Sequence, residues 1–213
     1  MQQLHAWLHT NDIGLAVFRH AQLKAALLPS VALSTAFDGG DPQAAVEGNP
    51  GGTVHSHAKF IPGRRTAAAF AGALYGLPVV YSNPTYRDAT ARSQSNATHT
   101  VLTVEVALAS ASEQLVLRGW EPGSNSSHCP TERAVNASYC DWFGVQINDS
   151  AGTWLNASVA LSQGGTGLVL TAVAQGPGYA AVATRNGWSD WPVVTVYSQA
   201  GFPLATWNRP LNA

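Results

Sequence analysis

From Leu102 to Leu108 the chain alternates strictly, with Leu102, Val104, Val106 and Leu108 apolar and Thr103, Glu105 and Ala107 between them. A period of two places one set of side chains on a single face of an extended strand, and an apolar face of that kind has to be buried. Shorter candidates of the same sort follow at Gln114–Arg118, Asp141–Ile147, Trp154–Leu161, Leu168–Ala174, Tyr179–Thr184 and Val193–Tyr197, with Gly, Asn and Ser between them. Several short strands at such spacing predict a β-sandwich in place of βαβ units. Six of the seven tryptophans lie at or beyond Trp120, so the aromatic mass belongs to this β part. No repeat of fixed period is visible.

Upstream of Pro78 the pattern is different. Phe18, Gln22, Ala25 and Leu28, with Arg19 and Lys24 between them, suit a short helix that Pro29 terminates. Val31, Leu33, Thr35 and Phe37 then alternate with smaller residues, and Asp38-Gly39-Gly40-Asp41-Pro42 ends the run. A long Gly/Pro loop reaches Thr53, and Pro62–Tyr75 reads as an Ala-rich helix closed by Gly76, with Arg64 and Arg65 near its start. Helix, strand, loop and helix in that order read as the tail of an α/β domain, whose ligands gather at the carboxyl ends of the strands. The expectation is therefore a partial α/β unit over residues 1–78 and a β-sandwich over 79–213 with a Trp-rich C-terminal segment.

With 213 residues, 46% of them hydrophobic, the chain is long enough to bury a core. Charged residues are only 11%, against roughly 25% in ordinary soluble domains, and net charge is -1. No basic cluster is present to neutralise phosphates, so no nucleic-acid partner is expected. The longest apolar run, Ala67 to Tyr81, is broken by Gly72, Gly76 and Pro78 and falls short of the roughly 20 residues that span a bilayer. No membrane partner is expected either.

Five Asn-x-Ser/Thr triplets begin at Asn96, Asn125, Asn136, Asn148 and Asn156. Within one stretch of turn-rich sequence they point to a glycosylated surface and a secreted, lysosomal or extracellular location. Two cysteines, Cys129 and Cys140, fit that compartment. A bridge between them would close a short loop and contribute ~3 kcal/mol; a pair of free buried thiols is the alternative. The start, Met1-Gln2-Gln3-Leu4-His5-Ala6, has no positive region, apolar run or small-residue cleavage site of a leader. That mismatch raises the expectation that the 213 residues are the distal part of a longer protein.

The stretch with most chemical potential is Gly51-Gly52-Thr53-Val54-His55-Ser56-His57-Ala58-Lys59. A histidine after a Gly-rich loop and just before a helix, facing a strand end, is well sited as a general base near neutral pH. A base needs a nucleophile, and the sequence has no Gly-x-Ser-x-Gly elbow; Gly123-Ser124-Asn125 is the nearest imitation. His55 and His57, two apart, or His5 and His9, four apart, could also serve a metal. No Cys, Asp or Glu cluster completes a tetrahedral set at familiar spacing, so neither metal nor other cofactor is expected.

From Val54 onward the chain resembles the sialate O-acetylesterase family, esterases of the SGNH-hydrolase type that remove acetyl groups from sialic acids. The family carries Ile-His-Pro-x-x-Lys, then Val-Gly/Ala-x-Arg-Leu and a helix ending in Ala-Tyr-Gly. Val54-His55, Lys59, Gly63, Arg65, Leu74 and Tyr75-Gly76 fall here in that order. Phe18-Arg19-x-x-Gln22 and Phe37-Asp38-Gly39-Gly40-Asp41 are similar to its Leu-Arg-x-x-Gln and Asp-x-Gly-Asp. Asn83-Pro84, Cys140-x-Trp142, Arg185-Asn186-Gly187-Trp188-Ser189-Asp190-Trp191-Pro192 and Tyr197 through Pro203 match later stretches, so the resemblance covers residues 14 to 210 in four pieces.

The resemblance implies an SGNH-like three-layer α/β fold in the first part and a role for His55 as the catalytic histidine that takes a proton from a serine nucleophile. Ser56 stands where the family has proline, and His57 where it has arginine. Many SGNH enzymes orient the histidine with an aspartate three residues before it, but Gly52 occupies that place here. Asp38 is then the candidate orienting acid, or a backbone carbonyl in a Ser-His dyad. The family's serine and oxyanion-hole residues lie on earlier strands, so the resemblance implies the C-terminal part of a carbohydrate O-acetyl esterase with an O-acetylated carbohydrate as substrate. The alternatives are a non-catalytic secreted glycan-binding module using exposed aromatics such as Trp154 or Trp120, with Trp188 and Trp191 in the core, and a histidine-rich metal-binding protein.

Overall fold

In the computed structural model the described residues are 1–3, 14–29, 31–41, 54–109, 114–118, 140–141, 143–192 and 194–211. They are mostly β, with two helices. Strands β1 (Thr85–Ser95), β2 (His99–Ala109), β8 (Gly167–Gln175) and β7 (Ser158–Leu161) form one antiparallel sheet in the order β1-β2-β8-β7. A second joins β12 (Trp207–Pro210), β9 (Ala181–Asn186), β5 (Phe143–Ile147) and β6 (Trp154–Asn156) in the order β12-β9-β5-β6. Two short pairs complete the β structure: β3 (Leu115–Leu117) with β11 (Val196–Ser198), antiparallel, and β4 (Cys140–Asp141) with β10 (Trp191–Pro192), parallel.

The strict alternation of Leu102–Leu108 is realised in β2. Leu102, Val104, Val106 and Leu108 are buried, as are Leu168, Leu170, Ala172 and Ala174 of β8. Phe143, Val145, Ile147 and Trp207 of the second sheet meet them in one cluster, which makes the two sheets a sandwich. Trp207 lies between Tyr86 and Phe143, with ring centroids 5.5 and 5.9 Å away. The expected Trp154–Leu161 strand is two strands in different sheets, because the chain crosses over at Ala157, whose N–H donates to the Phe143 carbonyl at 2.9 Å. β1 and β12 carry no apolar alternation. Each is an edge strand, and β1 buries only Ala89 fully.

The parallel sheet expected for the first part is reduced, among the described residues, to a single bridge between Gln2 and Ser34. Gln3 N–H donates to the Ser34 carbonyl at 2.7 Å and Ser34 N–H to that of Met1 at 2.8 Å. Residues 31–37 are therefore not a regular strand, although Leu33 to Phe37 are buried. α1 spans Gly14–Ala25, four residues ahead of the expected start. Its last turn tightens to i→i−3 bonds, Leu27 to Lys24 and Leu28 to Ala25, because Pro29 disfavours helical backbone at the residue before it. α2 spans Phe60–Ala69 and passes into a π-helical turn, Phe70–Leu74. Pro62 fits the first turn, where backbone N–H groups have no intrahelical acceptor. Gly76, at φ +65°, closes the segment in the left-handed region. No described helix is long and apolar enough to cross a membrane.

Both helices invert the usual amphipathic arrangement. α1 buries Ala16, Arg19 and Gln22, and α2 buries Pro62, Arg65 and Ala69. Large apolar residues face outward instead, with Val17 51% and Phe18 48% exposed on α1 and Phe60 79% and Ile61 41% on α2. The inward arginines tie the helices to the β part. Arg19 Nη1 donates to the Ser189 carbonyl at 2.8 Å and Nη2 to that of Asp190 at 3.1 Å. The Leu15 N–H donates to Asp190 Oδ1 at 2.9 Å. Burial lowers the Arg19 pKa to about 10, opposed by the neighbouring Asp190 charge, so the guanidinium stays cationic at neutral pH.

Candidate active site

The Asp38-Gly39-Gly40-Asp41 segment places two carboxylates three residues apart, and each has a different partner. Asp38 is buried and faces Arg65: Oδ1 accepts from Nη1 at 2.6 Å and Oδ2 from Nη2 at 2.7 Å. Arg65 also donates to the Thr35 carbonyl at 3.0 Å and the Gly201 carbonyl at 2.9 Å. This two-pronged pairing is the geometry in which a guanidinium holds a carboxylate most firmly. Burial, and next the neighbouring Asp38 charge, raise the Tyr197 pKa so that the phenol stays protonated. Asn83 extends the floor, donating to the Thr35 hydroxyl at 3.1 Å and to the Pro203 carbonyl.

Asp41 faces the histidine loop. Its Oδ2 lies 2.9 Å from His57 Nδ1 and also accepts the His57 backbone N–H at 3.1 Å. The Asp41 side chain is 11% exposed and the His57 side chain 59%. Ser56 between the histidines is buried, and its hydroxyl accepts the Ala58 N–H at 3.1 Å. His55 and His57 are both exposed on either side of it. The loop then enters α2 with the Lys59 N–H donating to the His57 carbonyl at 2.8 Å. Holding both Nδ1 and the backbone N–H of His57, the Asp41 carboxylate fixes the loop while the His57 ring reaches solvent.

Of the residues singled out from sequence, His55 and Asp38 thus lie in one region, but both oxygens of Asp38 are taken up by Arg65. Asp41 meets the ring of His57, a pairing that the sequence alone does not single out. The signal was present in the second acid of Asp38-x-x-Asp41 and the second histidine of His55-x-His57. Spacing alone does not tell which acid a folded loop turns toward which ring.

Asn96, Asn148 and Asn156 are exposed on the sandwich, while Asn125 and Asn136 lie outside the described residues. Cys140 opens β4, and Cys129 lies outside the described residues, so their pairing does too. Trp154 carries Arg185 over its ring at 4.4 Å, which occupies that face of the indole; Trp120 lies outside the described residues. Trp191 is 1% exposed. Trp188 packs edge-on against His20 at 5.7 Å. No group of three or more His, Cys, Asp or Glu able to hold a metal occurs among the described residues, and His5 and His9 fall outside them.

No protein-family model matches the sequence, and no curated protein matches it. Among solved structures the fold is similar to a carbohydrate acetylesterase from Xanthomonas citri, with a TM-score of 0.67 at 20% sequence identity. The likeness covers 97% of this chain and 39% of that one. The chain thus spans about two fifths of the length of the solved esterase whose fold it shares.

Proposed function

We propose that this chain is the C-terminal portion of a carbohydrate O-acetyl ester hydrolase of the sialate O-acetylesterase type, acting on acetylated sialic acid or a related sugar. The observation that carries the proposal is the likeness in fold to a carbohydrate acetylesterase along 97% of the chain. The histidine loop supports it, with a buried carboxylate beneath it and a buried ion pair beneath that.

The outward faces of α1 and α2 support the remainder of the proposal. On the α2 side, Ala69 with Phe70 and Leu74 of the π-helical turn borders a groove of about 590 Å³ that Val31 and Tyr81 also line. Exposed apolar surface of that extent marks a contact. The proposal assigns it to the part of the esterase that has no counterpart in these residues and that supplies the serine. In the reaction, the serine Oγ attacks the acetyl carbonyl while His55 accepts its proton. His55 then protonates the departing sugar oxygen, and water releases acetate from the acyl-enzyme by the same route. Asp41 acts through His57: by holding both its ring and its backbone N–H, it fixes the loop two residues from the base.

The test is esterase activity toward 4-nitrophenyl acetate and 9-O-acetyl sialic acid, measured on two proteins. One is the chain by itself; the other is a chimera in which it replaces the matching 39% of the solved acetylesterase. The expected result is no turnover by the chain and turnover by the chimera, lost with His55→Ala. Turnover by the chain alone that His55→Ala removes overturns the placement of the serine elsewhere. A folded chimera with no activity overturns the esterase proposal.

A further inference from the structure

Two of the Asn-x-Ser/Thr triplets meet at one end of the sandwich, and it is the end remote from the histidine loop. β1 leaves the helical region at Thr85 and reaches Asn96 just past its far end. β5 starts at Phe143 beside Asn186, ends at Ile147 beside Ala181, and delivers Asn148 to the same end. The segment 176–180 joins the two turns. Gly176 N–H donates to the Thr98 carbonyl at 2.8 Å, and Asn148 N–H to the Ala180 carbonyl at 3.1 Å. The opposite end is the one tied to the Asp38 floor, where Ala205 N–H donates to the Pro84 carbonyl at 2.9 Å and Asn186 Nδ2 to the Ala205 carbonyl at 3.1 Å.

At both asparagines the fold relies on the amide oxygen. Asn96 Oδ1 accepts the backbone N–H groups of Thr98 and His99, each at 2.9 Å, and the Thr98 hydroxyl at 3.1 Å. Its Nδ2 lies on the exposed side, 3.2 Å from His99 Nε2. Asn148 Oδ1 accepts the Ala180 N–H at 2.8 Å. Substitution of one hydrogen on Nδ2 leaves each of these Oδ1 contacts in place. Asn156, on the edge strand β6 opposite Gly144, is exposed but belongs to neither turn.

We infer that Asn96 and Asn148 are acceptors for N-linked oligosaccharide and together carry a sugar cap on the pole of the sandwich away from His55. The donor is a lipid-pyrophosphate-linked oligosaccharide. Nδ2 forms the bond to the anomeric carbon, the carbon–oxygen bond to the pyrophosphate breaks, the lipid pyrophosphate departs, and the amide proton passes to the transferase. The third residue of each triplet, Thr98 or Ser150, supplies the hydroxyl that the acceptor motif requires. A cap at the tip of the β1–β2 hairpin shields the open edge of β1 from strand addition and leaves the histidine loop uncovered. The cap stands apart from the esterase proposal, since it involves neither His55, His57 nor Asp41.

The experiment directs the 213-residue chain into the secretory pathway of a eukaryotic cell with a cleavable leader. Sugar is removed with a peptide N-glycosidase in heavy-oxygen water, which marks each released asparagine for mass spectrometry. Marks are expected at both Asn96 and Asn148, with the sugar released from the undenatured protein. Asn96→Gln and Thr98→Ala are each expected to remove one oligosaccharide; Thr98→Ala does so while keeping the Asn96 side chain. If the chain is not secreted, translation into microsomes reads the same loss as a gel shift. An unmarked Asn96 or Asn148, or a chain that shows no shift in microsomes, overturns the cap.

Discussion

Both Nη atoms of Arg65 are bound by groups that no shorter cation reaches together: the two oxygens of Asp38 and the carbonyls of Thr35 and Gly201. Removing one partner of a buried pair strands the other charge, at a cost of about 3–5 kcal/mol. Arg65→Ala is therefore expected to lose stability on that scale in urea unfolding, and Arg65→Lys to recover little, because a point charge cannot reproduce the planar fork. Asp38→Asn together with Arg65→Met should lose less than Arg65→Ala, since no unpaired charge is left. His20 gives a prediction in pH. Burial, then the positive charges of Arg209 and Lys24, lower its pKa from the ordinary 6.5. The unfolded chain thus takes up the proton first as pH falls, so the folded state binds fewer protons in that window and loses stability through it. Thermal melts from about pH 7 down to about pH 5 should show a steeper decline for the native chain than for His20→Gln. Equal slopes would remove His20 from the account.

At the scale of elements, what was legible depended on which partner an element packs against. β2 and β8 pack against a second sheet inside this chain; in β2 the apolar alternation coincides with the buried Leu102, Val104, Val106 and Leu108, while β8 also carries Val169 and Val173 on its other face. α1 is expected from Phe18, Gln22, Ala25 and Leu28, yet of these it buries only Gln22, beside Ala16 and Arg19, because its inward neighbours include the carbonyls of Ser189 and Asp190. An edge strand such as β1 has one side and one face open, so it needs no alternation and leaves no such signal. The exposed faces of the helices yield a direct test. Phe70→Ser with Leu74→Glu should change stability by less than about 0.5 kcal/mol per site, as surface substitutions do, and should reduce self-association and binding of a hydrophobic dye. A large loss of stability would mean that these side chains are packed within the chain. Gly72→Ala is expected to behave otherwise, because its added methyl carbon would overlap the Tyr81 ring, at 2.0 Å from Cδ1. Tyr81 lines the groove, so the substitution should alter the fluorescence of that ring or its exchange broadening before it alters the sandwich.

For the whole molecule the question is whether the boundary at Pro78 separates two folding units. Composition changes there, and the sequence shows the change clearly: helices and loops before it, strands after. Several polar contacts that cross it are not visible in composition, because each pairs a side chain with a backbone group 136 to 175 positions away, as in Arg65 with Gly201 and Leu15 with Asp190. Such bonds have no spacing rule, and buried backbone groups must still be paired. The first 78 residues direct Arg19, Arg65 and Asp38 inward, and two of these three depend on residues 189–201 for acceptors or donors. Expressed alone, residues 1–78 should therefore show the circular dichroism of an unfolded chain, whereas residues 79–213 should retain the strand signal and a buried Trp207. The intact chain should unfold in one transition seen alike by tryptophan fluorescence and by the helical band. Asp190→Ala, which releases the Leu15 N–H and removes the charge beside Arg19, should lower that transition by about 1–3 kcal/mol, the cost of an unsatisfied buried group. If the helical band instead melts earlier than the fluorescence in the native chain, and Asp190→Ala moves only the first of the two steps, the residues before Pro78 are a separate unit resting on the sandwich.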